Sequence, residues 1–205
     1  MPPSQVFLLS PASCSGRRAA LLLNNRSQLS LAARLRNDAG VPLGEVFTFL
    51  SGLYFRGKLT YARAFARPPR GAAGLCVITA GRGLVPADTT VRVGDLQAFA
   101  AVPIETNEPR YHEPLTRDAL TLAAQLGEAG RAVLLGSIAT SKYVEPLLPI
   151  LGERLVFPLS FVGRGDMSRG GLLLRCVDEG RELDYVAVST AIRRGVRPAK
   201  LPPRK

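Results

Sequence analysis

Three short apolar runs constrain this chain more than any other feature. They are Gln5–Leu9 (QVFLL), Leu75–Thr79 (LCVIT) and residues 131–136 (RAVLLG). None alternates apolar with polar residues, so each reads as a strand covered on both faces. Turn residues close them, with Ser10-Pro11 ending the first. Stretches with helical spacing lie between. Residues 17–38 carry Leu22, Leu29 and Leu35 and end at Gly40, with a break expected near Asn24-Asn25. Residues 45–66 carry Val46, Phe49, Leu50, Leu53, Tyr54, Tyr61 and Phe65 and stop before Pro68-Pro69. Gly52 and Gly57 predict a kink or loop inside that stretch.

The rest of the chain continues the alternation. Residues 80–91 (AGRGLVPADTTV) are rich in turn residues and read as a loop. Residues 116–128 predict an amphipathic helix capped by Thr116, and residues 139–151 a helix containing proline. Residues 154–158 and 171–177 (GLLLRCV) read as a fourth and a fifth strand. Strand alternating with helix predicts an α/β fold: a central mixed, mostly parallel sheet flanked by helices in a single domain. That domain is expected over residues 1–190, with 191–205 a flexible basic tail.

Composition suits such a domain. A hydrophobic share of 46% with 21% charged residues is ordinary for a globular chain and too high for a disordered basic tail. No apolar run approaches the roughly 20 residues of a membrane span. The amino-terminal stretch has no positive region before its apolar run, so no signal peptide is expected. Cys14, Cys76 and Cys176 are odd in number and lack metal-ligand spacing. They read as reduced thiols of a cytoplasmic protein. The lone His112 supports neither a zinc site nor a Ser-His-Asp triad, so no metal and no cofactor is expected.

Charge points to a partner. The net charge is +11, and 23 of the 27 basic residues are arginine. Residues 1–87 carry +9, residues 88–184 carry −4 and residues 185–205 carry +6. Such segregation suggests one face built for a polyanion, and arginine grips phosphate bidentately.

Ligands of open α/β sheets sit beyond the carboxyl ends of strands. Here those ends are SPASCSGRR, TAGRGLVPADTT and GSIATSK, all rich in small and polar residues. Ser13, Cys14 and Ser15 supply polar groups, and Arg17 and Arg18 follow where a helix begins. Ser141 and Lys142 stand at another strand-to-helix turn. Helix capping accounts for such hydroxyls equally well. Asp88 and Asp95 lie near the second loop, where a carboxylate beside a basic groove activates water or stabilises an oxocarbenium-like state. Asp88 also fits a turn after Pro86, and Asp95 a helix cap after Gly94. Asp166, between Arg164 and Arg169, reads as a salt-bridged turn or as a catalytic or base-reading group. Tyr54 and Tyr111, beside Arg56 and Arg110, are the aromatic residues best placed to stack bases. Arg56 and Arg82 join Arg17, Arg18, Arg164 and Arg169 as phosphate contacts.

In their order, these segments resemble the YaaA-like superfamily of peroxide-stress and DNA-binding proteins and its relatives near base-modifying enzymes. Ser10-Pro11-Ala12 resembles the family's I-S-P-A start, and residues 13–18 (SCSGRR) are similar to the relatives' C-S-G-K-K. Residues 53–57 (LYFRG) through 62–65 (ARAF) resemble L-Y-x-G-x-L-F-x-x-A-R. Residues 78–85 followed by Asp88 resemble L-S-x-x-x-G-L-x-x-P-x-D. Residues 139–143 (ATSKY) are similar to A-S-x-E-Y, and 163–169 (GRGDMSR) to A-R-G-L-M-A-R. The start motif's lysine is Ser13 here, and VRVGDL replaces the family's P-Y-x-L-E-M stretch. The resemblance implies an α/β fold with a basic DNA-binding cleft and N-glycosidic chemistry. The leading expectation is therefore a DNA glycosylase that flips out and excises a modified base, such as a glycosylated phage cytosine, in anti-phage defence. A non-enzymatic DNA-binding stress protein and an RNA base-modifying enzyme are the alternatives.

Overall fold

The computed structural model describes residues 3–199 and 201–202. Every residue of β1 (Gln5–Leu9) is buried. After it come α1 (Arg17–Leu23), α2 (Ser30–Arg36), β2 (Val41–Pro42), α3 (Leu43–Ser51) and α4 (Leu53–Phe65). The middle holds β3 (Leu75–Thr79), β4 (Gly83–Pro86), β5 (Thr90–Val91), α5 (Val93–Ala100), α6 (Pro109–Leu126) and β6 (Arg131–Leu135). The last part holds α7 (Ser141–Leu151), β7 (Leu155–Pro158), α8 (Asp166–Asp178) and β8 (Tyr185–Ala187).

Six strands form one sheet in the order β4-β3-β1-β6-β7-β8. β1 is parallel to both β3 and β6, with Leu8 opposite Cys76 and Leu134. β7 continues the parallel set, while β4 and β8 are antiparallel edges. Helices flank the sheet in a single α/β domain, as the alternation of runs predicts. Buried apolar residues from all the central strands join one continuous core. At the amino ends of the strands, Gln5 is wholly buried and bonded to Arg131 and Glu182, and Glu182 also pairs with Arg67.

Several expectations need correction. Residues 171–177 are helical, not a strand. Gly170, Leu173, Leu174 and Cys176 give α8 a buried face at helical spacing, which the triplet Leu172-Leu173-Leu174 masks. The second edge is instead β8, whose three residues are only half-buried. The segment 80–91 is not a loop throughout, because Gly83, at φ +67, turns the chain into β4. Thr116 caps nothing: α6 begins at Pro109, and Glu108 accepts from the Arg110 amide at 3.1 Å. Gly52 does break the long helical stretch, at φ +65, and α1 does end beside Asn24. Gly57 causes no break.

Residues near the carboxyl terminus lie along α8. Arg164 donates to the Ala199 carbonyl and Arg175 to that of Pro202. Lys200 and residues 203–205 of the expected tail fall outside the described residues.

Candidate functional site

The chain leaves β1 toward β3 and leaves β6 toward β7, on opposite sides. This divergence opens a crevice at the carboxyl ends of two adjacent parallel strands, where α/β sheets take ligands. A cavity of about 450 Å³ lies at that edge. Residues 11–15 after β1, Ala80 after β3, and Lys142 and Tyr143 of α7 line it. One of the three expected loops therefore brings five residues to it, and the other two bring one each, Ala80 and Lys142.

The cavity lining is of two kinds. Ser13, Cys14, Ser15, Lys142 and Tyr143 bring polar groups to it. Phe47, Phe99, Val102, Pro103 and Ile104 bring apolar ones. Sequence motifs do not reveal the apolar part, since residues 99–104 carry no polar pattern. Their signal is the Ala-Ala-Val-Pro-Ile run that follows α5. Ser13 Oγ and Ser15 Oγ lie 3.3 Å apart, and Ser13 Oγ also accepts from the Ser15 amide. Cys14 is buried, and burial pushes its thiol up to about 11, so it stays protonated at neutral pH.

Cations surround this edge. Arg17 and Arg18 are exposed immediately after the serine loop, and Lys142 is exposed at the start of α7. Arg18 donates to the Phe49 carbonyl at 3.0 Å. Among the described residues, no ion pair engages Arg17, Arg18, Arg56 or Lys142.

Behind the serine loop is a second polar group. Lys58 of α4 is 1% exposed, and its Nζ donates to the Ser10 carbonyl at 2.5 Å and to Ser10 Oγ at 2.9 Å. The rings of Tyr54 and Phe55 lie 4.4 and 4.8 Å from that nitrogen. Burial pulls the Lys58 amine down to about 7, with Asp166 favouring the charged form and Arg169 opposing it. Arg169 donates to the Phe161 carbonyl at 3.1 Å. Tyr54 Oη is buried next to the Arg169 guanidinium. Burial pushes that phenol up to about 12, with Arg169 pulling the other way, and burial with Asp166 does the same for Tyr143. Nothing in the sequence marks Lys58, since a lysine beside Arg56 on a helix reads as surface.

The expected catalytic aspartates do not reach this cavity. Asp88 is 74% exposed and pairs with Arg63 at 2.5 Å. Asp95 accepts from the Arg92 amide at 2.8 Å and from Arg82 at 2.8 Å, which makes it the helix-capping group of α5. The same ion pair occupies Arg82. Tyr111 is wholly buried and donates to the Lys142 carbonyl at 2.8 Å, so it supports α7 and cannot stack a base. Tyr54 is 6% exposed and covers Lys58, so it too is a core residue. Ser141 opens α7 without lining the cavity. Arg56 is exposed on α4. Arg164 serves α8, donating to Ser160 O and Ser168 Oγ. Asp166 starts α8 and is exposed, and no salt-bridged turn forms there.

Among the described residues, no group of three or more His, Cys, Asp or Glu side chains is placed to hold a metal ion. No helix of the described residues is long and apolar enough to cross a membrane. No protein-family model, curated protein or solved structure matches the chain.

Proposed function

We propose that the protein is a DNA glycosylase that takes an extruded base into the cavity and hydrolyses its N-glycosidic bond. One observation carries this reading. The cavity at the carboxyl edge is lined by both apolar and polar residues, Lys142 among them, and Arg17 and Arg18 follow directly on its lining loop; among the described residues none of these three cations has a carboxylate partner. Phosphates on those cations would place a strand at the cavity. Phe47, Phe99 and Ile104 offer the flipped base an apolar surface, and Ser13, Ser15 and Tyr143 offer its edge hydrogen bonds. Asp166, exposed at the start of α8 and outside the cavity lining, is the carboxylate we propose to test for stabilising positive charge on the sugar. It is the acidic group whose charge acts on Lys58, Tyr54 and Tyr143. The resemblance to base-modifying relatives points the same way. A cavity of about 450 Å³ falls within the roughly 300–1,000 Å³ of small-molecule sites, so a base bearing a substituent is the first substrate to try.

The test incubates purified protein with phage DNA carrying glycosylated cytosine and with unmodified DNA. Released base and alkali-labile sites are then measured. Release from modified DNA that is lost in Asp166→Asn supports the reading. Absence of abasic sites on every DNA rejects it.

One observation favours a second reading. Among the described residues, no Asp, Glu or His lines the cavity itself. A non-enzymatic DNA-binding protein would have that property, and it would show salt-sensitive duplex binding without base release. Comparing duplex DNA, single strands and tRNA also separates both readings from an RNA-directed enzyme.

A further inference from the structure

We propose that Lys58 is a positioning residue for the cavity: it holds the loop of residues 10–15 at the β1–β6 crevice, and that loop moves with the proton on its amine. The geometry is a chain of bonds. Lys58 Nζ donates to both the carbonyl and the hydroxyl of Ser10. Ser10 in turn donates to the Leu135 carbonyl, from its amide at 3.1 Å and its hydroxyl at 3.3 Å. One side chain of α4 thus ties the end of β1 to the end of β6. Pro11 follows without an amide proton to anchor it, and residues 11–15 line the cavity. The Ser10 cluster fixes the start of the loop, and buried Ala12 and Cys14 pack its middle into the core.

The surroundings make the proton matter. An ammonium has three protons, and here two meet Ser10 while the third faces the Tyr54 and Phe55 rings. A neutral amine has two, and its lone pair gains nothing from a ring face. From α8, Asp166 favours the ammonium and Arg169 opposes it. From α4, Tyr54 brings a buried hydroxyl next to Arg169, and from α7, Tyr143 lies close to Tyr54. Among the described residues Asp166 is the carboxylate whose charge acts on Lys58, and burial tips the balance toward the neutral amine near physiological pH.

The experiment needs no nucleic acid, so its outcome is independent of the glycosylase reading. The sequence has four lysines, Lys58, Lys142, Lys200 and Lys205, which makes NMR titration of labelled lysine side chains tractable. One lysine signal is expected to titrate near pH 7 and to vanish in Lys58→Met. The backbone amides of Ser13, Cys14 and Ser15 are expected to shift with the same midpoint, and to lose that transition in Lys58→Met but keep it in His112→Gln. Loop amides that stay flat through neutral pH overturn the proposal, as does a transition that survives in Lys58→Met. If Lys58→Met does not fold, Ser10→Ala serves instead. It removes one acceptor and keeps the carbonyl, so the lysine and loop midpoints should move together, and a loop midpoint that stays behind overturns the coupling.

Discussion

Gly57 and Gly170 meet backbone to backbone where α4 crosses α8. A Cβ on Gly57 would lie 2.7 Å from the Gly170 carbonyl oxygen, and one on Gly170 would lie 2.8 Å from both Leu53 O and Tyr54 Cα. This contact sets one residue on each side: Lys58 follows Gly57, and Arg169 precedes Gly170. The helices must stay this close for the two cations to share one neighbourhood. Gly170→Ala should therefore destabilise the fold by about 1–3 kcal/mol through overpacking against backbone, which cannot rotate away. Gly165→Ala, with nothing within 4 Å of its Cβ, should cost no more than about 0.5 kcal/mol. Urea denaturation of the two variants checks the contrast, and equal costs would show that α4 and α8 are free to separate.

The three aspartates should separate by role. Asp95→Asn weakens a helix cap and its pair with Arg82, so a loss of about 0.5–2 kcal/mol in stability is expected, with turnover unchanged. Asp88→Asn breaks one exposed pair with Arg63 and should change stability by less than about 1 kcal/mol. Asp166→Asn should leave the fold intact and reduce base release at least tenfold. Single-turnover assays beside urea midpoints distinguish the three, and full activity in Asp166→Asn would remove it from the site.

Much of the fold was legible because burial leaves a simple trace. The largely apolar runs at residues 5–9, 75–79 and 131–135 could be strands of nothing but a covered sheet, and all three lie inside its edges. Residues 171–177 misled because three consecutive leucines hide a helical period, which shows only when Gly170 and Cys176 are counted on the same face. The polar half of the cavity was legible through strand-end loops, as Ser13, Ser15 and Lys142 show. The apolar half was not, since Phe47 and Phe99 come from helices far apart in the chain and look like ordinary core. Asp88 and Asp95 are suggested only by lying near the second loop. Position in the chain does not fix direction, and the arginines Arg63 and Arg82 claim both.

Salt dependence tests the cationic edge directly. Each phosphate neutralised by a side chain releases counterions and adds about 0.9 to the slope of log affinity against log salt on duplex DNA. Arg17→Ala and Lys142→Ala should each reduce that slope by about 1 and weaken binding similarly on all sequences. Arg82→Ala should leave it unchanged, because Asp95 already neutralises that side chain. Fluorescence anisotropy across a salt series measures all three. A slope that drops for Arg82→Ala and not for Arg17→Ala would place the DNA on another face.

Lys58 also writes itself into the pH dependence of stability. Its amine sits near 7 in the folded protein, against 10.5 when unconstrained. Between those values the unfolded chain binds more protons than the folded one, so stability rises with pH across this window. Its contribution is full above 10.5, falls away as pH drops toward 7 and stays flat below. A single lysine can impose a slope of at most about 1.4 kcal/mol per pH unit, and a slope close to that limit is expected near the middle of the window. Cys14 and Cys76, pushed up to about 11 by burial, work in the opposite sense as their unfolded thiols begin to ionise. Subtracting the Lys58→Met profile cancels their contribution. Urea midpoints of both proteins from about pH 7 to 9 should therefore give a difference that grows in favour of the wild-type chain as pH rises. Parallel profiles would mean that Lys58 keeps an ordinary amine despite its burial.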